Sequence, residues 1–394
     1  LEFALDWQQI IKDANVVPII TALKSADKAF ADDDEFVSNY LSLRQNPARF
    51  KPEAFRAIDD FRGTAALRKL DIFAKAYHLR KVWKLDPVLM QQLNQNHGPI
   101  DWNDPNTPLP LDWRHPDSHA IYWAVKGLQK ASEEGSSIAE INTDRIVNHS
   151  LQNLFRNGRM FVYDVPAQTP SDSSSQTPQT PTKEVFLRSD LRMFDAYNKS
   201  ALARIKKYEE LGLEKTKTGS LQSLKDGHRN MLKNAIFSFY QAGHRRRAQK
   251  IYKKMRQLYP SDDFKVPLDA FVWNRLREEL TNITVTNAQE IVQMMLRESY
   301  FRYAVRDDDE AFGREKMAKE IHDHYQSAYL DENRINLPDF KLMRYFALLD
   351  FFNDYQYPLN MRRNLLARIK IERPELAEQL KQLEEKLQKQ SEQS

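Results

Sequence analysis

Residues 229–262 have the sequence RNMLKNAIFSFYQAGHRRRAQKIYKKMRQLYPSD, and this stretch gives the clearest indication of the architecture. Its apolar and small residues recur every three or four positions, which is the period of an amphipathic helix. Gly243 separates two such stripes, and Pro260 closes the second. The stripes consist of Leu232, Ala235, Ile236 and Phe239, followed by Ala248, Ile251, Tyr252 and Met255. The segment predicts two short helices packed against each other.

The order and spacing of these residues resemble the tetratricopeptide repeat, a family of antiparallel helix pairs. Leu232 stands where the family usually has a larger residue, and Ala235-Ile236 replaces its Leu-Gly pair. Residues 288–330 and 339–371 match the pattern more loosely. The resemblance implies a superhelical surface that binds peptides or proteins in a concave groove. We therefore expect an all-α fold, an irregular α-solenoid built from repeat-like helical hairpins.

The composition also favours helices. The chain has 394 residues but only ten glycines, with 41% hydrophobic and 29% charged residues. It has no cysteine, which excludes disulfides, thiol catalysis and thiolate metal sites. A cysteine-free chain with a Pro/Ser/Thr-rich tract fits a bacterial envelope protein, periplasmic or membrane-anchored. A signal or anchor is then expected outside this chain, because no apolar run here approaches the roughly 20 residues that span a bilayer.

The net charge of +4 is unevenly distributed. Residues 225–256 contain ten Lys/Arg and one Asp, so the rest of the chain is mildly acidic. This basic helix pair predicts an electrostatic binding surface for an acidic protein or peptide, for anionic lipid head groups or for nucleic acid. Nucleic acid is disfavoured, because aromatic residues are not interleaved with the basic ones. The alternative interpretation is a solvated helix face. The predicted partner-binding residues are Phe239, Tyr240, Arg245, Arg246 and Lys250.

The pattern along the chain predicts four regions. Residues 1–165 form a helical domain, in which one long helix runs from Pro52 to about Trp83 and a Pro/Trp-rich loop covers 93–117. Residues 166–183 form a disordered linker or insertion between two short extended arms. The repeat-like domain covers 184–371. An amphipathic helix with a polar tail follows at 372–394.

A second candidate site lies in residues 97–127, HGPIDWNDPNTPLPLDWRHPDSHAIYWAVKG, which concentrate tryptophan, aspartate and histidine. In one interpretation they form a pocket for a carbohydrate or small molecule, as in a binding protein or a hydrolase. In the other, the tryptophans anchor a proline-rich loop to the core. His115 and His119 lack a third ligand at recognisable spacing, so no metal site is predicted. The candidate pocket residues are Asp101, Trp102, Asp112, Trp113, Arg114, His119 and Tyr122.

Familiar catalytic motifs are missing from the sequence. It contains no G-x-S-x-G, no phosphate-binding loop, no H-E-x-x-H and no G-x-G-x-x-G. No cofactor is predicted. The sequence favours a non-catalytic scaffold that binds a protein or peptide, with the carbohydrate or small-molecule site as the alternative.

Overall fold

The computed structural model describes residues 4–104, 106–133, 137–165, 182–210, 212, 220–280, 285–328 and 337–392. These residues form 17 α-helices and a single two-stranded sheet, so the predicted all-α fold is confirmed. The chain divides into two compact units, Leu1–Leu151 and Gln152–Ser394. Among the described residues, no helix combines the length and the apolar character needed to cross a bilayer.

The described residues of the first unit form eight α-helices, the last of which continues into the second unit. They are α1 (Trp7–Ile10), α2 (Val17–Ala26), α3 (Asp33–Gln45), α4 (Pro52–Asp59), α5 (Ala65–His78), α6 (Pro87–His97), α7 (Pro116–Glu133) and α8 (Ser137–Asn157). A π-helical turn, Leu79–Trp83, extends α5. The core between α2, α3 and α5 is rich in aromatic rings, including Phe30, Phe36, Tyr40 and Phe73.

The prediction of one long helix from Pro52 to about Trp83 was wrong. Helix α4 ends at Asp59, and Gly63 turns the chain with a φ of +80°. Thr64 then caps α5, because its side-chain oxygen accepts a hydrogen bond from the Leu67 backbone N–H at 3.2 Å. Glycine before a capping threonine is a sequence signal for a helix break, although the apolar stripe continues through it.

The described part of the second unit begins with the end of α8 and contains an antiparallel hairpin followed by nine α-helices. They are β1 (Arg159–Val165), β2 (Thr182–Arg188), α9 (Phe194–Glu210), α10 (Ser220–Gln241), α11 (Arg245–Leu258), α12 (Leu268–Leu280), α13 (Val285–Ala304), α14 (Asp308–Ala328), α15 (Phe340–Asn353), α16 (Leu359–Glu372) and α17 (Pro374–Glu392). The two strands are the predicted extended arms, paired from Arg159 with Arg188 to Val165 with Thr182. The predicted disordered tract between them lies outside the described residues.

Two predicted helix pairs, α10–α11 and α13–α14, each pack as a hairpin. The turn of the first hairpin rests on the second at a glycine–glycine contact. Gly243 has a φ of +83°, and a side chain there would place its Cβ 2.9 Å from the Cα of Gly313. Helices α15 and α16, predicted as a third pair, both pack on α13.

A buried arginine ties the hairpin of strands to α13 and α14. Arg302 is fully buried, and its guanidinium contacts Glu298 at 2.8 Å, Asp307 at 2.7 Å and Glu310 at 3.2 Å. Burial alone would lower the pKa of Arg302, but the surrounding carboxylates raise it above its usual value. Arg159 of β1 reaches Asp307 at 2.6 Å in the same cluster. The charged cluster therefore positions the sheet on the helices.

Candidate functional site

The two aromatic residues predicted to bind a partner belong to the core. Phe239 and Tyr240 are both buried, and Phe239 packs edge-on against Phe194 at the start of α9. The Tyr240 hydroxyl donates to Asp269 Oδ1 at 2.9 Å. Burial and this carboxylate raise the pKa of Tyr240 above its usual value. These two side chains hold α9, α10 and α12 together.

Of the three predicted basic residues, Arg245 forms an ion pair, whereas Arg246 and Lys250 have none among the described residues. Arg245 lies over the Tyr240 ring, 4.3 Å from its centroid, and forms an ion pair with Glu320 at 2.6 Å. Arg246 and Lys250 are exposed, and so is Lys253. None of these three forms an ion pair or side-chain hydrogen bond with the residues that the structure describes. We call this exposed set, Arg246, Lys250 and Lys253, the α11 basic face.

A cleft of about 670 Å³ opens between α10 and α12, in the same helical unit. The turn Asp262–Phe264 and the residues after it close one side. Its lining consists of amides, cations, one carboxylate and apolar side chains. These are Asn230, Lys233, Asn234, Asp263, Phe264, Val266, Phe271, Asn274 and Arg275. We call it the α10–α12 cleft.

Buried aromatic residues form the apolar base of the α10–α12 cleft, and α11 holds this base in place. Phe264 and Phe271 are buried and pack edge-to-face with their ring centroids 5.9 Å apart. The Tyr252 hydroxyl, on α11, lies 3.1 Å from the carbonyl oxygen of Phe264 and 2.8 Å from that of Val266. Both distances are those of a hydrogen bond, so α11 holds the turn that carries Phe264. The base of the cleft is therefore tied to α11.

Polar groups surround this base. The Lys233 ammonium stands 5.2 Å from the Phe264 ring centroid and has no ion pair among the described residues. Arg275 donates to Asn234 Oδ1 at 2.7 Å. This hydrogen bond uses the amide oxygen of Asn234 and not its N–H groups. Asn230 and Asn274 are exposed. The cleft thus offers a cation and several amide groups above an apolar surface, a combination suited to an extended peptide bearing a carboxylate.

Sequence reasoning missed the α10–α12 cleft for an identifiable reason. Asn230, Lys233 and Asn234 have the spacing of one helix face and form a polar stripe beside the apolar stripe of α10. That polar stripe is a usable signal. Its partner, however, is α12, which the sequence pattern did not predict as a helix.

The Trp-rich loop is held to the end of α6 by one asparagine. Asn94 Oδ1 accepts hydrogen bonds from the Trp113 indole N–H at 3.1 Å and from the Leu111 backbone N–H at 3.0 Å. Leu111 is buried, and both Trp102 and Trp113 are half-buried. The loop is therefore anchored to the helices, while parts of both indoles remain accessible.

The polar residues predicted to line a pocket in this loop make internal contacts. Arg114 pairs with Asp112 through two hydrogen bonds of 2.9 and 2.6 Å, which holds the pKa of Asp112 below its usual value. His119 Nε2 lies 2.7 Å from the Trp113 carbonyl oxygen. The buried Tyr122 hydroxyl accepts from the Asp86 backbone N–H at 2.7 Å. The structure brings these residues into one region, where Arg114 and Asp112 bond to each other and His119 and Tyr122 bond to backbone groups.

The remaining two predicted residues, Asp101 and Trp102, are also engaged within the chain. Asp101 Oδ1 accepts from the Asn103 backbone N–H at 2.9 Å, as in a turn, and Trp102 has an internal contact. The nearby His115 is buried, and its Nδ1 accepts from the Asp117 backbone N–H at 3.2 Å, while its Nε2 has no hydrogen-bond partner among the residues that the structure describes. Within the described ranges, no three His, Asp or Glu side chains are grouped as metal ligands.

Comparison of the chain with protein-family models, with curated proteins and with solved structures gives no match. The contacts and charges within each unit are therefore the basis for assigning a function.

Proposed function

We propose that this chain is a helical scaffold that binds an extended acidic segment of another protein in the α10–α12 cleft. The observation that carries the proposal is the Lys233 ammonium, which has no ion pair among the described residues and stands over a buried phenylalanine base. The helix pairs α10–α11 and α13–α14 would be repeat-like units of the scaffold, as the tetratricopeptide resemblance implies.

The lining of the cleft matches a peptide better than a compact ligand. An extended backbone presents alternating N–H and C=O groups, and asparagine side chains offer both an acceptor and two donors. Asn230 on α10 and Asn274 on α12 supply these groups from opposite sides. An apolar side chain of the peptide would rest on Phe264, and an acidic one would pair with Lys233.

The α11 basic face would act at longer range. Its three cations, which have no ion pair among the described residues, attract an acidic partner before contact, which raises the association rate more than the final affinity. The turn held by Tyr252 connects the two features, because α11 carries the basic face and also supports the base of the cleft.

The test is binding of fluorescent peptides from a library that varies acidic and apolar positions. We expect acidic-apolar peptides to bind the wild type, and Lys233→Glu to weaken this binding by at least about tenfold, since an attraction becomes a repulsion. Lys316→Glu is the matched control, because Lys316 is an exposed lysine on α14 outside the cleft. Equal affinities for all three proteins would contradict the proposal.

A further inference from the structure

The first unit carries an exposed apolar tip at the end of α5. The π-helical turn Leu79–Trp83 is followed by Lys84, whose φ is +57°, and the Leu85 backbone N–H donates to the Leu79 carbonyl at 3.1 Å. Leu85 is buried, which fixes the turn from the inside. Val82 and Trp83 are consequently held outward, 62% and 57% exposed. Two large apolar neighbours this accessible are unusual on a protein surface.

A second tryptophan extends this tip into a surface. Trp123 on α7 is 48% exposed and lies one helical turn after His119. The His119 ring stacks against Trp83 with centroids 6.3 Å apart and an interplanar angle of 25°. His119, stacked on Trp83, and Trp123 therefore share one face of α7, which places the two indoles on the same side of the first unit.

Lysines surround the aromatic residues. Residues 72–85 contain four Lys/Arg and no Asp or Glu. Lys81 and Lys84 flank Val82 and Trp83 directly, and Lys126 lies 5.3 Å from the Trp123 ring centroid. None of these three lysines has an ion pair among the described residues. We call the set Lys81, Val82, Trp83, Lys84, Trp123 and Lys126 the Trp83 surface.

This chemistry matches the interface of an anionic lipid bilayer. Indole rings favour the boundary between head groups and acyl chains, and lysines extend their stems over apolar surface while the ammonium pairs with lipid phosphates. A sugar platform would instead need free carboxylates or amides beside the rings. Asp112 is bound to Arg114 and His119 Nε2 to the Trp113 carbonyl, so these groups are already engaged.

We infer that the Trp83 surface binds peripherally to bilayers rich in anionic phospholipids, with Val82 and Trp83 entering the head-group region and Lys81, Lys84 and Lys126 contacting the phosphates. A single apolar tip gives weak, reversible attachment, and adjacent basic residues strengthen it. This site is separate from the α10–α12 cleft, so either can be present without the other.

The test is co-sedimentation of the full chain with phosphatidylcholine vesicles, with and without phosphatidylglycerol. We expect binding that requires phosphatidylglycerol. Val82→Ser/Trp83→Ser should lower the partition coefficient by at least about tenfold through lost apolar burial. Lys81→Glu/Lys84→Glu should lower it by at least about fivefold for each lysine. Circular dichroism of each variant checks that the fold is retained.

Two matched controls locate the effect. Ile146→Ser removes an apolar side chain of α8 that is 48% exposed, and Lys250→Glu/Lys253→Glu reverses two lysines of the α11 basic face; both should bind as the wild type does. Trp83→Phe should keep binding and lose part of the quenching of tryptophan fluorescence by brominated lipids. Unchanged quenching overturns the inference, as does an α11 reversal that weakens binding as much as the Lys81/Lys84 reversal.

Other occupants give different results in the same assays. If vesicles of neither composition bind, while soluble oligosaccharides protect the exposed indoles from acrylamide quenching, the surface is a sugar platform and the lipid inference is wrong. Equal binding to vesicles with and without phosphatidylglycerol also overturns it, because the lysines then play no part.

Discussion

Arg302 and the α11 basic face show the same kind of side chain in opposite settings. Arg302 is fully buried and touches three carboxylates, whereas Arg246 is exposed and has no ion pair among the described residues. The buried cation has its charge satisfied within the fold, so removing it disturbs the fold. The exposed cation has its charge available for a partner, so removing it should disturb only binding. His228, buried without a carboxylate beside it, and Arg245, half-buried with one carboxylate, provide two further settings for a basic side chain.

The largest effect is expected at Arg302. The substitution Arg302→Met leaves Asp307 and Glu310 partly or fully buried with one cation fewer, and it should lower the free energy of unfolding by about 3–5 kcal/mol. Urea denaturation measures this value. Arg246→Met is the matched control and should change it by less than about 0.5 kcal/mol. Similar values for the two variants would remove the distinction between buried and exposed cations.

His228 shows what burial does to a basic group without a carboxylate beside it. It is 3% exposed, Nδ1 lies 2.7 Å from the Tyr259 hydroxyl and Nε2 lies 2.9 Å from Asn198 Oδ1. Burial, together with the positive charge of Lys254, lowers the pKa of His228 to about 4. The neutral imidazole, donating from Nε2 and accepting at Nδ1, fits both partners.

The pH dependence follows from that lowered pKa. Above pH 6.5 the imidazole of His228 is neutral in the folded and unfolded chains, and its contribution to stability is complete. As the pH falls from 6.5 towards 4, only the unfolded chain takes up the proton, and stability should fall by up to about 3 kcal/mol. The measurement is urea denaturation across this pH range for wild type and His228→Gln. The difference between the two proteins should shrink on acidification; a constant difference would exclude His228 as the source.

Arg245 is the intermediate case, half-buried and paired with one carboxylate. Its ion pair with Glu320 has side-chain exposures of 34% and 28%, so water screens it. A double-mutant cycle with Arg245→Ala and Glu320→Ala should give a coupling free energy below about 1 kcal/mol. The exposed pair Lys319–Asp323, with 50% and 54% exposure, serves as the reference and should couple more weakly still. A larger coupling at the exposed pair would reverse the expected gradient.

The sequence could predict much of the fold, but it could not predict which basic side chains are buried and paired and which are exposed. Gly243 and Pro260 marked the ends of the two helices in the best repeat-like pair, because glycine and proline end helices through local backbone conformation. The apolar stripe of α10 also predicted burial of Leu232 and Ile236. The stripe could not show that Phe239 packs against Phe194 or that Tyr240 bonds to Asp269. Both partners lie on helices that are distant in sequence.

The candidate sites depend on similar distant packing. The carboxylates that surround Arg302 lie near it in sequence, but its burial also depends on the hairpin that carries Arg159 and Arg188. The α10–α12 cleft requires α12, which was not predicted. At the Trp83 surface, the segment KVWK is conspicuous in the sequence, but its position beside Trp123 follows only from the packing that brings Trp83 onto His119.

The smallest effect on stability is expected for Arg246→Glu/Lys250→Glu on the α11 basic face. These side chains have no ion pair among the described residues, so the free energy of unfolding should change by less than about 0.5 kcal/mol. Binding of an acidic peptide identified with the wild type should nevertheless slow, and the wild-type association rate should fall more steeply with added salt than that of the variant. Stopped-flow fluorescence at several salt concentrations measures both. Identical association rates with an unchanged fold would mean that the α11 basic face is a solvated helix surface without a role in binding. The exposed cations would then differ from Arg302 only in having no carboxylate contacts among the described residues.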